Sequence, residues 1–229
     1  MTAAALAEAA GWGPFFAVHR HEPGAAPVAP WRPLRELADD PEVLRERVGR
    51  VRAYLAGDRD PADVALRVAA SVTQLGLSAR LVSPVLAVAV LTGEVLDLSD
   101  AWWQPELGGA FPLSLTGRAG AGDVAAAVLA GPVRDLAEAT GDFSVSVHIL
   151  WGNTASAING AATMIARNRP DLAAAAENLV THFLATPPLV GAADQRSGTF
   201  RRHNCCLIYQ AAPPSGPRAL CGDCVLSRT

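Results

Sequence analysis

All four cysteines of this 229-residue chain lie between positions 205 and 224: Cys205 and Cys206 are adjacent, and Cys221 and Cys224 flank Gly222 and Asp223. Soft thiolates delivered from two short segments select zinc, copper(I) or an iron-sulfur centre. The stretch that carries them is rich in glycine, proline and polar residues from Thr186 onward. It has little apolar material with which to fold alone, so bound metal is expected to help order it. Cys221-Gly-Asp-Cys224 reads as a metal knuckle, since Gly222 frees the backbone for a tight turn. The vicinal pair does not supply the second C-x2-C of a zinc ribbon, and adjacent cysteines chelate one ion awkwardly. A two-iron cluster spreads its ligand positions further apart and accepts such a pair more easily.

An even number of cysteines also leaves disulfides open. The start, Met1-Thr-Ala-Ala-Ala-Leu-Ala-Glu, has no basic residues followed by an apolar run, so no secretory signal is expected and a reducing cytoplasm is the default. Redox chemistry of the thioredoxin kind places C-x-x-C at the start of a helix, whereas Cys224 is followed by only a few residues.

Two patches carry a resemblance. Arg201-Arg-His-Asn-Cys205-Cys206-Leu-Ile-Tyr followed by Cys221-Gly-Asp-Cys224 resembles the C-terminal signature of the FhuF-like ferric siderophore reductases. Leu150-Trp151-Gly152-Asn153-Thr-Ala-Ser156-Ala157 resembles the tryptophan-glycine-asparagine element that precedes a long helix in that family. The resemblance covers about the C-terminal third. It implies a [2Fe-2S] cluster ligated by Cys205, Cys206, Cys221 and Cys224, and one-electron reduction of a ferric siderophore, so that Fe(II) is released. The stretch from Leu207 to Leu220 is longer than the family's usual gap, and the turn-rich run 211–217 is where extra residues are absorbed at little cost.

Half of the residues are apolar and the formal charge is −3, which gives no pull toward nucleic acid or anionic lipid. Every basic side chain is arginine, which excludes a Schiff-base lysine and a P-loop. No G-x-G-x-x-G fingerprint appears, so an external one-electron donor such as a ferredoxin is expected rather than a built-in nicotinamide or flavin site. The apolar run from Leu81 to Gly93 is short of a membrane span, and that from Phe143 to Ala166 is broken by His148, Asn153, Thr154 and Asn159. No transmembrane segment is expected; peripheral association with a transporter is compatible with the sequence.

The element pattern predicts an α+β fold: a helix-rich body with a small antiparallel sheet over 1–185, and a C-terminal cluster-binding segment over 186–229. Asp40-Pro41, Asp60-Pro61 and Ser83-Pro84 read as helix starts, with the second and third helices ending near Gly76 and Gly93. The first helix gathers Leu44, Val48, Val51 and Leu55 on one face, with Arg45, Arg50 and Arg52 on a solvated one. Short strands are expected around Val95–Leu98, Trp102–Trp103 and Phe111–Leu115. Further helices follow Asp123, break at Gly131-Pro132, and span about Ser146–Arg167 and Asp171–Ala185.

Arg201, Arg202, His203 and Arg218 suggest a positive rim for an anionic chelate or an acidic donor; the plain alternative is exposed charge. Trp151 and Asn153 offer a flat ring and an amide to a substrate, or else fill and cap the fold. Asp223 is expected to make a turn hydrogen bond. The reading from another class is a non-redox siderophore-binding or structural protein whose four cysteines hold zinc.

Overall fold

A computed structural model of the chain describes all residues except 26, 109, 197–198, 214–219 and 227–229. At its centre stands α4 (Leu66–Thr92), buried along most of its length from Val68 to Val88 and stopped by Gly93, whose φ of 72° gives the left-handed cap. Packed on it are α1 (Thr2–Ala10), α3 (Pro41–Ala56) and α7 (Val147–Asn168). Helices α2 (Glu36–Asp39), α5 (Val124–Ala130), α6 (Pro132–Gly141) and α8 (Ala173–Ala185) complete the helical part. The break at Gly131-Pro132 is the expected one: α6 starts on the proline, where the missing N–H costs nothing.

Helix α4 overturns two of the three expected starts. Asp60-Pro61 opens only a 3-10 turn, Pro61–Asp63, and Ser83-Pro84 lies inside α4, as does Gly76. The run from Leu66 to Thr92 is apolar on nearly every side, so burial of the whole cylinder outweighs one donor lost at Pro84. The Ser83 hydroxyl turns inward and donates to the Ala79 carbonyl at 2.7 Å. By length and composition α4 is apolar enough to cross a membrane, and here it forms the core. Asp40-Pro41 does open α3, with the Asp40 carboxylate accepting from the Glu42 N–H at 2.9 Å.

The arginines of α3 are not all a solvated face. Arg45 is exposed beside Glu42, but Arg52 donates to the Val64 carbonyl at 2.6 Å and Arg50 to that of Pro105. Arg47 is buried and holds the Glu106 carbonyl, its guanidinium over the rings of Trp103 and Phe111. Arginine stems can cover apolar surface while the fork binds carbonyls, which a simple polar count misses.

The expected strands form, in a different sheet. β1 (His19–Arg20), β2 (Arg32–Pro33), β4 (Trp102–Trp103) and β5 (Leu113–Leu115) make a four-stranded sheet in the order β1-β5-β4-β2, with β1 and β5 parallel and the other pairs antiparallel. The sheet is therefore mixed and recruits N-terminal strands too short to show a period of two. β3 (Val95–Leu96) pairs instead with β6 (Ala119–Gly120). Near the C-terminus a hairpin of β7 (Ala193–Arg196) and β8 (Thr199–Arg202), polar enough to escape sequence reading, leads into Cys205.

Candidate metal centre

Hairpin and loop bring the cysteines onto α4 and α7. Leu189, Ala192 and Ala193 enter the main core, while Ala211 and Leu207 pack with Ala56, Val64 and Val68 in a smaller one. Arg59 straps the same loop by donating to the Ala211 carbonyl at 2.6 Å. The vicinal pair is thus docked on the body by apolar contact and by hydrogen bonds.

None of the four cysteines is in a disulfide; Cys206 and Cys224 are buried, and Cys205 and Cys221 are partly exposed. The thiols of Cys206 and Cys221 share a hydrogen bond, and Cys205 and Cys221 each lie close enough to Cys224 to feel its charge. Backbone donors point at the sulfurs. The Leu207 N–H reaches Cys205 Sγ at 3.4 Å, the Leu226 N–H reaches Cys224 Sγ at 3.4 Å, and the Ile208 N–H bonds Cys206. Leu207 adopts φ 69°, rare for a residue with a Cβ, and this turns the chain directly after the vicinal pair. The knuckle closes through the Cys224 N–H to the Cys221 carbonyl at 3.2 Å, without a left-handed glycine at Gly222. Among the described residues, no three or more His, Cys, Asp and Glu side chains are drawn together as a ligand set for an ion. One thiol pair, Cys206 and Cys221, is joined across the two segments by a hydrogen bond.

Arg202 lies under this group. It is 1% exposed and donates from Nε to the Asn204 carbonyl at 2.8 Å and from one terminal nitrogen to Asn153 Oδ1 at 2.6 Å. Its charge acts on Cys205, Cys206 and Cys221. Asn153, fully buried on α7, passes the link on to α4 by donating to the Ser71 carbonyl at 3.0 Å, and the Ser71 hydroxyl donates to the Cys206 carbonyl at 2.9 Å. One turn further along α7, the Ser156 hydroxyl donates to the Asp223 carboxylate at 2.8 Å. A Cβ added at Gly152 would stand 3.2 Å from an Arg202 nitrogen, so the absence of a side chain there makes room for the guanidinium. The tryptophan-glycine-asparagine patch is thereby given a physical use: Trp151 packs in the core, Gly152 admits Arg202 and Asn153 binds it.

The charges around the thiols sort them. Cys206 is pulled down to about 6, first by the Cys221 thiol donating to it, with the Ile208 N–H and Arg202 adding to this against burial. Cys221, the donor, is pushed up by that same hydrogen bond and by burial. Burial pushes Cys205 up, opposed by the Leu207 N–H. Burial also raises the Asp223 carboxyl, opposed by Ser156 and Arg202.

Sequence expectation and placement differ for the neighbours. The positive rim does not include Arg202, which is enclosed, and Trp151 and Asn153 are likewise inside rather than facing a substrate. Arg201 is exposed and donates to the Val225 carbonyl at 3.1 Å; His203 is exposed, bonded to the Gly191 carbonyl at 2.8 Å and paired with Asp194 at 3.1 Å. Arg218 lies outside the described residues. Asp223 binds α7 instead of its own turn. Ser71 was not legible as a site residue, because a serine within an apolar helix has no local signature.

Elsewhere Ser114, His21 and Asp100 stand in line, with His21 Nδ1 2.9 Å from Ser114 Oγ and Nε2 3.6 Å from the Asp100 carboxylate. Ser114 is buried in β5 and paired with β1 and β4 on either side, so its hydroxyl is not presented as a nucleophile. The trio braces the sheet.

In comparisons with known proteins, no protein-family model and no curated protein matches this chain.

Proposed function

We propose that the chain is a cytoplasmic ferric siderophore reductase, an oxidoreductase whose [2Fe-2S] cluster is held by Cys205, Cys206, Cys221 and Cys224. The observation that carries the reading is the thiol hydrogen bond between Cys206 of the vicinal pair and Cys221 of the knuckle, in a set of four unbridged cysteines with backbone N–H donors at three sulfurs and a buried guanidinium beside them. N–H donors and cations next to sulfur favour thiolate over thiol, the form that binds metal. The donor types fit the group, being all-sulfur and drawn from a vicinal pair and a knuckle, with Cys206 and Cys221 joined by a hydrogen bond across the two segments.

When bound, such a cluster supplies one electron at a time, matching the Fe(III)/Fe(II) step of the substrate. The residues supply the setting. Arg202 offers positive charge against the thiolates, and the Leu207, Ile208 and Leu226 N–H groups bond three of the four sulfurs. Partly exposed Cys205 and Cys221 are the edge at which an electron can pass, whereas Cys206 and Cys224 face inward. Siderophore iron is held by hard oxygen donors, and lowering its charge weakens that grip. The electron comes from an external one-electron carrier such as a ferredoxin, and peripheral contact with a transporter would bring the loaded chelate to the protein.

The test is anaerobic turnover: protein with its native metal, reduced by dithionite and freed of excess, is mixed with a ferric siderophore while a ferrous-specific chromogen traps the product. Stoichiometric Fe(II) is expected. Absence of Fe(II) from protein shown to hold a reduced cluster would remove the reductase and leave a binding or structural role.

A further inference from the structure

A cleft of about 530 Å3 opens beside the knuckle, in the size range of small-molecule sites. Leu75 and Ala79 of α4 and Ala157, Ala161 and Met164 of α7 give it apolar walls, and Phe15 and Phe16 close it from the N-terminal loop. The remaining edge is the knuckle itself, through Cys221, Gly222 and Asp223. The cleft is preformed: buried Arg80 of α4 holds the Phe15 and Ala17 carbonyls at 2.7 and 2.5 Å, and Asn168 of α7 holds that of Trp12 at 3.2 Å.

Its electrostatics restrict what enters. Among the described residues, the charged side chains lining it are Arg202 and Asp223, and both are engaged: Arg202 by Asn153 and Asn204, Asp223 by Ser156. A charged guest would give up water to meet side chains already hydrogen-bonded within the protein, whereas an uncharged apolar guest gains from burial. A Cβ added at Gly160 or Gly222 meets nothing within 4 Å among the described residues, so both positions leave room at the cleft. The knuckle therefore presents bare backbone to the guest, and contact with Cys221 follows from filling the cleft.

We propose that this cleft binds an uncharged apolar arm of the substrate, and that the preferred ferric chelates are amphiphilic ones whose apolar arm lies between α4 and α7 with the iron-bearing end toward Cys221. This rests on the reductase reading and narrows it to a class of substrate.

The experiment uses the full chain and gallium(III) complexes of a linear trihydroxamate chelator, N-acetylated or N-octanoylated at its terminal amine. Gallium is not reduced, so affinity is read apart from electron transfer, by calorimetry. The octanoyl complex is expected to bind at least on the order of tenfold tighter than the acetyl one, since burying two methylene groups already accounts for that. Gly160→Phe, which fills the cleft from an exposed helical position, should erase the difference, and so should Met164→Glu, which puts a charge in its wall. Equal affinity for the two complexes, or a preference that both variants leave intact, overturns the cleft assignment even if both ferric complexes are reduced. A preference lost in the variants, with no reduction of either ferric complex, keeps the cleft and overturns the reductase.

Discussion

At the scale of single residues, the site depends on how a buried guanidinium is accommodated. Gly152→Ala removes a poor helix former but places a Cβ 3.2 Å from Arg202, so a propensity gain of about 1 kcal/mol is offset and thermal stability should change little. Gly152→Leu cannot be absorbed that way. It should cost about 3 kcal/mol by overpacking and by displacing Arg202 from Asn153, read as a lowered midpoint of denaturation. In metal-loaded protein, Arg202→Gln should move the reduction potential to more negative values, on the order of tens of millivolts. The sign follows from charge: the reduced centre carries one more negative charge, and the variant removes the cation that stabilises it. An unchanged potential would limit Arg202 to a packing role.

The Cys206 and Cys221 pair also sets a pH dependence in the metal-free protein. Cys206 is depressed to about 6 in the fold, so it contributes stability that is complete above the ordinary thiol range and is lost as pH falls through 6. Cys221 is raised, so the fold keeps its proton while the unfolded chain loses one above that range, and stability falls again as pH rises further. The pair therefore contributes most near the ordinary thiol pKa. The difference in unfolding free energy between the natural chain and Cys221→Ala should rise from pH 6 toward 9 and then decline; a difference flat in pH contradicts the shared proton.

Among elements, the decisive contact is α4 against α7, crossed by the chain of bonds from Arg202 through Asn153 and Ser71 to the Cys206 carbonyl. Asn153→Ala leaves a buried cation short of an acceptor and should cost about 2 kcal/mol, more than the change does in an Arg202→Gln background. Additive losses, measured by a double-mutant cycle, would show that the two side chains do not act together. Helices α5 to α8 were legible because capping residues, Gly131-Pro132 and Pro170 punctuate them. α4 was not, since Ser83-Pro84 and Gly76 imitate boundaries that burial of the surrounding apolar surface overrides. The sheet was legible only in part, because strands of two or three residues are fixed by partners distant in sequence and not by local alternation. The cysteines stand out in the sequence as candidate ligands by type and spacing, while Ser71 and the burial of Arg202 required the fold.

For the whole molecule, a shared core and a docked tail imply coupling between metal and order. Among the described residues, the cysteine loop reaches the body through Leu207, Ala211, Arg59 and Ser71, and the knuckle through Asp223 and Ser156. Metal should add to these by joining Cys205 and Cys206 to Cys221 and Cys224. Limited proteolysis is expected to cleave beyond Arg202 much faster in metal-free protein than in loaded protein, with the body resistant in both; equal rates contradict this coupling.

The most direct test of the central claim is the anaerobic visible spectrum of the purified protein together with its iron, sulfide and zinc content. The account predicts a brown-red protein with two irons and two sulfides per chain, bleached by dithionite and recoloured on addition of a ferric siderophore. A colourless protein with one zinc per chain would contradict it and leave Cys205, Cys206, Cys221 and Cys224 as a structural site.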